Sequence, residues 1–227
     1  MAHRILDLTQ SFTPGMFTWP GDPVFSIDAV PDSGGFHINT LRFSDHGGTH
    51  IGTAAHFDPT GADVARLRPE QLIVPGICLD VHEHCEKNPE YLLQIDDILA
   101  WENQFGVIPS HHVVLIATGW DRFWRSPQQY FGEQNQPTFP GIASETMDWL
   151  VQNRRVTGVG IDTAGIDGSA GRELAANRIL LQENRYHLEN LAHLTKLPPR
   201  AFKLYIGALP IPGATGSPCR VLAHWED

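Results

Sequence analysis

Apolar and polar residues alternate along 3–8 (HRILDL) and 36–45 (FHINTLRFSD), which predicts two half-buried strands. Between them, TPGMFTWPGDPVF carries Pro14, Gly15, Pro20, Gly21 and Pro23, a density of breakers that forbids regular structure and marks a long shaped loop. The runs at 73–81 (IVPGICLDV) and 111–120 (HHVVLIATGW) are apolar on successive positions and read as fully buried strands. The clearest helix is GIASETMDWLVQNRR, opening after Pro140 with Ser144 as its cap and with Ile142, Met147, Leu150 and Val151 on one face. Further strands are expected at 156–162, 202–210 and 219–225. A short helix is expected around 187–194 (HLENLAHL), within a stretch that otherwise reads as polar loop. The pattern is that of a strand-rich α/β fold with few helices and with long loops on one side.

Size and charge narrow this picture. A chain of 227 residues, 41% hydrophobic and without a break in composition, predicts a single domain over 1–227. A formal net charge of −10 without a basic run argues against nucleic acid or an anionic membrane as partner, and favours a small-molecule substrate. No apolar stretch reaches the length of a membrane span, and the first residues lack the apolar core of a secretion signal, so a cytoplasmic protein is expected. Cys78, Cys85 and Cys219 are odd in number and lack CxxC spacing; they read as ordinary thiols.

Chemistry concentrates in SDHGGTHIGTAAHF, residues 44–57, with His46, His50 and His56 among small residues. Gly47 and Gly48 disfavour a helix there, so a loop or a first helical turn is expected, in which the backbone can approach a bound ion closely. Neutral imidazoles suit zinc and other first-row metals. Thr49 is a candidate to orient a ring or to bind substrate. Phe17 and Trp19, in the Pro-rich loop, are candidates to cover a planar substrate, with loop anchoring as the alternative. The HEHC stretch at 82–85 falls in a charged turn, and His111, His112, His187, His193 and His224 read as structural.

Beyond these local signals, the segment HGGTHIGTAAH resembles the His-x-Gly-Thr-His-x-Asp-x-Pro-x-His mark of the cyclase family of metal-dependent hydrolases, matching it at His46, Gly48, Thr49, His50 and His56. WPGDP at 19–23, ATGW at 117–120, GIDT at 160–163, LEN at 188–190 and the ending ALPIPGATGSPCRVLA resemble other family signatures in the same order. The resemblance implies a swivelling β/β/α-type fold, a homodimer or homotetramer, and hydrolysis of formamides, lactams or lactones with zinc or manganese. By the same resemblance, His46, His50 and Glu189 are metal ligands and His56 is the acid/base.

Three positions depart from the family pattern. Gly52 stands where the motif has aspartate, Ala54 where it has proline, and Asn177 where a later histidine is expected twelve residues before Glu189. Gly52 and Asn177 fall on one second metal position, which implies a single ion per chain, with Asp45 or Asp58 as substitute carboxylates should two ions bind. Two function classes follow: a metal-dependent hydrolase of a small amide, cyclic amide or ester, or a catalytically impaired relative that binds small molecules or serves as an oligomeric scaffold. Retention of His46, His50, His56 and Glu189 together favours the enzyme. A serine hydrolase is disfavoured because no Gly-x-Ser-x-Gly elbow occurs.

Overall fold

The apolar runs become the central strands of a closed barrel. The computed structural model describes residues 3–31, 34–133, 136–171 and 173–226. Its principal strands are β1 (His3–Asp7), β2 (Ser26–Ala29), β3 (Asn39–Arg42), β4 (His50–Gly52), β5 (Ile73–Asp80), β6 (Val113–Ala117), β7 (Gly158–Ile161), β8 (Tyr186–Glu189), β9 (Phe202–Ala208) and β10 (Gly216–Glu226). Eight of them form one sheet in the order β1-β10-β9-β5-β6-β7-β8-β4, and β4 also pairs with β10, so seven strands close on themselves with β1 outside. The neighbours β5, β6, β7 and β8 run parallel. The remaining barrel pairs are antiparallel.

This topology explains the two sequence patterns. Every residue of β6 and β7 is buried, because parallel strands in the middle of a sheet are covered on both faces. Strand β9 instead alternates buried and exposed side chains from Phe202 to Gly207, as expected for a sheet with one covered face. One apolar cluster, including Ile77, Leu79, Val114, Ile116, Val159 and Ile161, fills the space between the sheet and its helices. A second, including Ile51, Val113, Leu115, Leu188, Leu204 and Val221, fills the opposite face.

The helix expected after Pro140 forms as Ser144–Trp149 and continues as a π-type turn to Arg154. Met147, Leu150 and Val151 are buried as the spacing predicts. Ser144 is not its cap, however. The cap position is Ala143, and the Ser144 hydroxyl donates to Glu145. Helix Ile95–Phe105 was not anticipated. It buries Ile98 and Trp101, its first turn is closed by Asp97 accepting from Gln94 N, and Gly106 ends it at φ +88°. The HEHC stretch lies in a helix, His82–Lys87, rather than in a turn.

The helix expected at 187–194 is contradicted. Residues 186–189 are strand β8, held between β7 and β4, and Asn190 and His193 sit at φ 55° and 61°, which breaks any helix across them. Leu188, Leu191 and Leu194, whose spacing suggested a helix, are all fully buried, so strand pairing and burial override the local periodicity. The loop at 13–25 is irregular as expected and leads into the β2–β3 hairpin. Among the described residues no helix is long and apolar enough to cross a membrane, and the three cysteines are buried and unpaired.

Candidate active site

Strands β4 and β8, together with the loops before β4 and around residue 165, enclose a cavity of about 440 Å³. His46, His50, His56, Glu189, Phe17 and Trp19 all line it, so six of the seven sequence-predicted site residues meet in one place. Thr49 is the exception. It is fully buried, its hydroxyl donates to the Asn190 carbonyl at 2.6 Å and accepts from Gln10 N at 2.8 Å, and it does not line the cavity. Its hydroxyl ties the histidine loop to the end of β8.

Each histidine is placed by a specific local device. His50 opens β4, and its Nδ1 lies 2.9 Å from the Gly48 carbonyl, which can only accept; Nδ1 therefore carries the proton and Nε2 keeps its lone pair. Gly48 itself sits at φ +60°, and a Cβ there would lie 2.4 Å from the Phe12 ring. That combination requires glycine. The Gly48 carbonyl also accepts from Asn190 Nδ2 at 2.9 Å, linking the loop to β8. His46 Nε2 lies 2.8 Å from the Thr215 hydroxyl, which donates onward to Asp45 at 3.0 Å, so His46 donates from Nε2 and keeps its lone pair on Nδ1. Asp45 therefore stands behind His46, whereas Asp58 bonds its neighbour Thr60 at the surface. His56 closes a single 3-10 turn, Ala54–His56, which brings its ring to 4.0 Å from that of His46.

The fourth histidine of the site was read from sequence as structural. His187 lies on β8 directly opposite Gly52 on β4, lines the cavity, and brings a ring nitrogen within 4.8 Å of those of His46 and His50. Its signal was hidden by the expected helix; as a strand residue, it points to the same side as residue 52. Glu189, two residues on, points into the same cavity. Its Oε1 accepts from Ile166 N at 2.9 Å, and its Oε2 lies 3.4 Å from His50 Nε2.

The electrostatics keep the His46, His56 and His187 imidazoles neutral. Burial, reinforced by the neighbouring His50, His56 and His187, holds His46 far below the usual histidine range. Burial lowers His187 to about 4, and it also lowers His56. Burial alone would raise Glu189, but His187, His50 and the Ile166 amide together hold it well below the usual carboxylate range, so it is an anion. Among the described residues, two buried nitrogens, His50 Nε2 and His187 Nε2, have no hydrogen-bond partner. Unpaired buried polar atoms are rare in proteins. Lone pairs from neutral imidazoles converging beside a carboxylate are the donor set of a first-row divalent metal ion, and these residues fit one.

One side of the wall is apolar. Phe17 is 7% exposed, stacks on Phe131 and touches Tyr130, so it both anchors the loop and faces the cavity. Trp19, 41% exposed, meets Phe131 edge-on at the cavity rim. Phe139, Ala164 and Leu174 complete this side.

Comparison with known proteins agrees with this geometry. A protein-family model described as "Putative cyclase" matches residues 6–168. The chain belongs to the cyclase family. Isatin hydrolase of Roseibium aggregatum is 31% identical over 209 residues, covering 85% of this chain and 77% of that protein. Kynurenine formamidase of Bacillus cytotoxicus is 27% identical over 225 residues, covering 97% of each chain. Among solved structures, an isatin hydrolase bound to the product analogue thioisatinate superposes with a TM-score of 0.92 at 26% identity, covering 99% of this chain and 93% of that one. The cyclase-family fold expected from the sequence is thus the fold observed, and the chain's relatives are hydrolases.

Proposed function

We propose that this cyclase-family protein is a metal-dependent amide hydrolase acting on a small cyclic amide fused to an aromatic ring, of the isatin type. The observation that carries the reading is the pair of buried, unpartnered imidazole nitrogens, His50 Nε2 and His187 Nε2, beside the Glu189 carboxylate in an aromatic-walled cavity. His46, His50 and Glu189 would hold a divalent ion, and the chemistry it would supply is polarisation of a carbonyl and a water made nucleophilic near neutral pH. Zinc and manganese are the candidate ions, at one per chain.

The chain's own residues supply the remaining steps. Phe17 and Trp19 border the cavity where a planar ring would rest, and its volume lies at the small end of ligand sites, suited to a bicyclic molecule. His56, kept neutral by burial, accepts a proton from the attacking water as the new C–O bond forms. It returns that proton to the ring nitrogen as the C–N bond breaks, so the products are a carboxylic acid and an amine in one opened molecule. The cyclic amide is favoured over the formamide because the isatin hydrolase of Roseibium aggregatum is 31% identical to this chain, against 27% for the kynurenine formamidase of Bacillus cytotoxicus. The protein is proposed to act in the cytoplasm as a homodimer or homotetramer.

The test compares isatin and N-formylkynurenine as substrates for the wild type and for His56→Gln, with bound metal measured on the same samples. Ring opening of isatin is expected to exceed deformylation. His56→Gln should lower kcat by about 10²–10⁴-fold while the bound ion stays. Full activity in that variant would remove His56 from the chemistry, and loss of its metal would make it a ligand instead.

A further inference from the structure

The position lacking an acidic ligand is not empty space. Gly52 and His187 face each other across the β4–β8 pair, and a Cβ built on Gly52 would lie 2.0 Å from His187 Nε2. The imidazole nitrogen therefore occupies the place where a side chain of residue 52 would begin. Glycine at 52 is what lets the ring in.

The ring's orientation is also set. Asp167 Oδ1 accepts from Ala176 N at 2.7 Å and its Oδ2 from Asn177 Nδ2 at 2.8 Å, which turns the Asn177 amide so that its oxygen faces His187. That oxygen lies 2.6 Å from His187 Nδ1 and can only accept, so Nδ1 carries the hydrogen and the lone pair is on Nε2. The unpartnered Nε2 is the atom left facing His46 and His50. Gly52, Asn177 and His187 thus act as one unit: the first makes room, the second sets the tautomer, the third presents a donor.

We propose that His187 is the third nitrogen ligand of the metal centre, with Asn177 as its positioning residue, so that an imidazole replaces the carboxylate that residue 52 does not provide. This rests on the metal-dependent reading above and deepens it. Two consequences follow. Three nitrogen donors beside the single Glu189 carboxylate favour zinc or cobalt over manganese, which prefers an oxygen-rich site. And the departures at Gly52 and Asn177, which from sequence suggest a lost second metal position, are parts of a rebuilt first one. Placing aspartate at 52 with histidine at 177 would not add an ion, because the side chain of residue 52 would collide with His187.

The experiment titrates cobalt(II), zinc(II) and manganese(II) separately into chelator-stripped full-length protein. It reads stoichiometry by calorimetry and the cobalt centre by its visible absorption. The wild type should take up one cobalt or zinc ion per chain and bind manganese more weakly. His187→Ala should lose cobalt binding and its spectrum. Asn177→Ala should weaken binding by about 10–100-fold, the usual cost of removing a group that orients a ligand. The exchange Asp167→Asn with Asn177→Asp keeps an acceptor for His187 Nδ1 and a hydrogen bond between the two side chains, and should restore most of that loss. Gly52→Asp alone should abolish binding, and adding His187→Ala should restore it with manganese now favoured.

Unchanged cobalt affinity and spectrum in folded His187→Ala would overturn the proposal, as would wild-type binding by Gly52→Asp. Should these variants fail to fold, X-ray absorption of the zinc-loaded wild type decides: three imidazole nitrogens support the proposal and two refute it. A wild type that binds none of the three ions would instead defeat the metal-dependent reading itself.

Discussion

Gly48→Ala probes how the backbone before β4 aims the histidines. At φ +60° an alanine costs about 1–2 kcal/mol relative to glycine in strain alone. Its methyl would lie 2.4 Å from two atoms of the Phe12 ring, which must retreat by about 1 Å to reach ordinary contact. Phe12 is packed edge-on against Phe25 and Phe43, so this overpacking adds about 1–3 kcal/mol. The sum, about 2–5 kcal/mol, corresponds to a fall in Tm of about 4–20 °C for a chain of this size. Chemical denaturation of Gly48→Ala, Phe12→Ala and the double variant separates the two terms. The double variant should be less destabilised than the sum of the singles by about 1–3 kcal/mol, because removing the ring removes the clash but not the strain. Metal affinity should fall as well, since the displaced Gly48 carbonyl fixes His50. A Gly48→Ala protein within 0.5 kcal/mol of the wild type, or strict additivity in the double variant, would refute this reasoning.

Two further predictions concern residues outside the chemistry. Thr49→Val should lower stability by about 1–3 kcal/mol by orphaning Gln10 N and the Asn190 carbonyl, with KM for the substrate unchanged in the folded fraction; a shift in KM without loss of stability would return Thr49 to the substrate site. Glu102 accepts from Arg154 Nε at 2.6 Å, Arg154 Nη2 at 2.7 Å and Ile108 N at 2.8 Å, so Glu102→Ala should cost about 3–5 kcal/mol. The Arg154 hydrogen bonds hold the Glu102 carboxyl below its ordinary value of 4.5. The ion pair's stabilisation is therefore present above that pH and lost as pH falls through the folded value, and the variant's stability curve should be flatter over this acid range. Parallel curves for variant and wild type would contradict it.

How much of the site could be read from the chain depends on the kind of signal each residue carried. His46, His50 and His56 are close in sequence, and their small neighbours mark a tight approach, so their convergence was legible. Glu189 was reachable only through resemblance to a family, because it comes from a strand far along the chain. His187 shows what was not legible. Leucines at 188, 191 and 194 have helical spacing, yet they are buried by strand pairing and by two left-handed residues that no periodicity reveals. Misreading that segment turned the histidine away from the site, and only the register of β8 on β4 places it against Gly52. The barrel core was legible for the opposite reason, since fully buried parallel strands leave continuous apolar runs. Helix Ile95–Phe105 was missed although Asp97 and Gly106 mark both of its ends.

The central claim, hydrolysis that depends on one ion held by these imidazoles, is tested most directly by following isatin ring opening as zinc is titrated into stripped protein. The account predicts negligible rate in the stripped protein, a rise in proportion to occupancy, and a plateau at one ion per chain. Full-rate hydrolysis in the stripped protein, or a rate that does not follow occupancy, would contradict it.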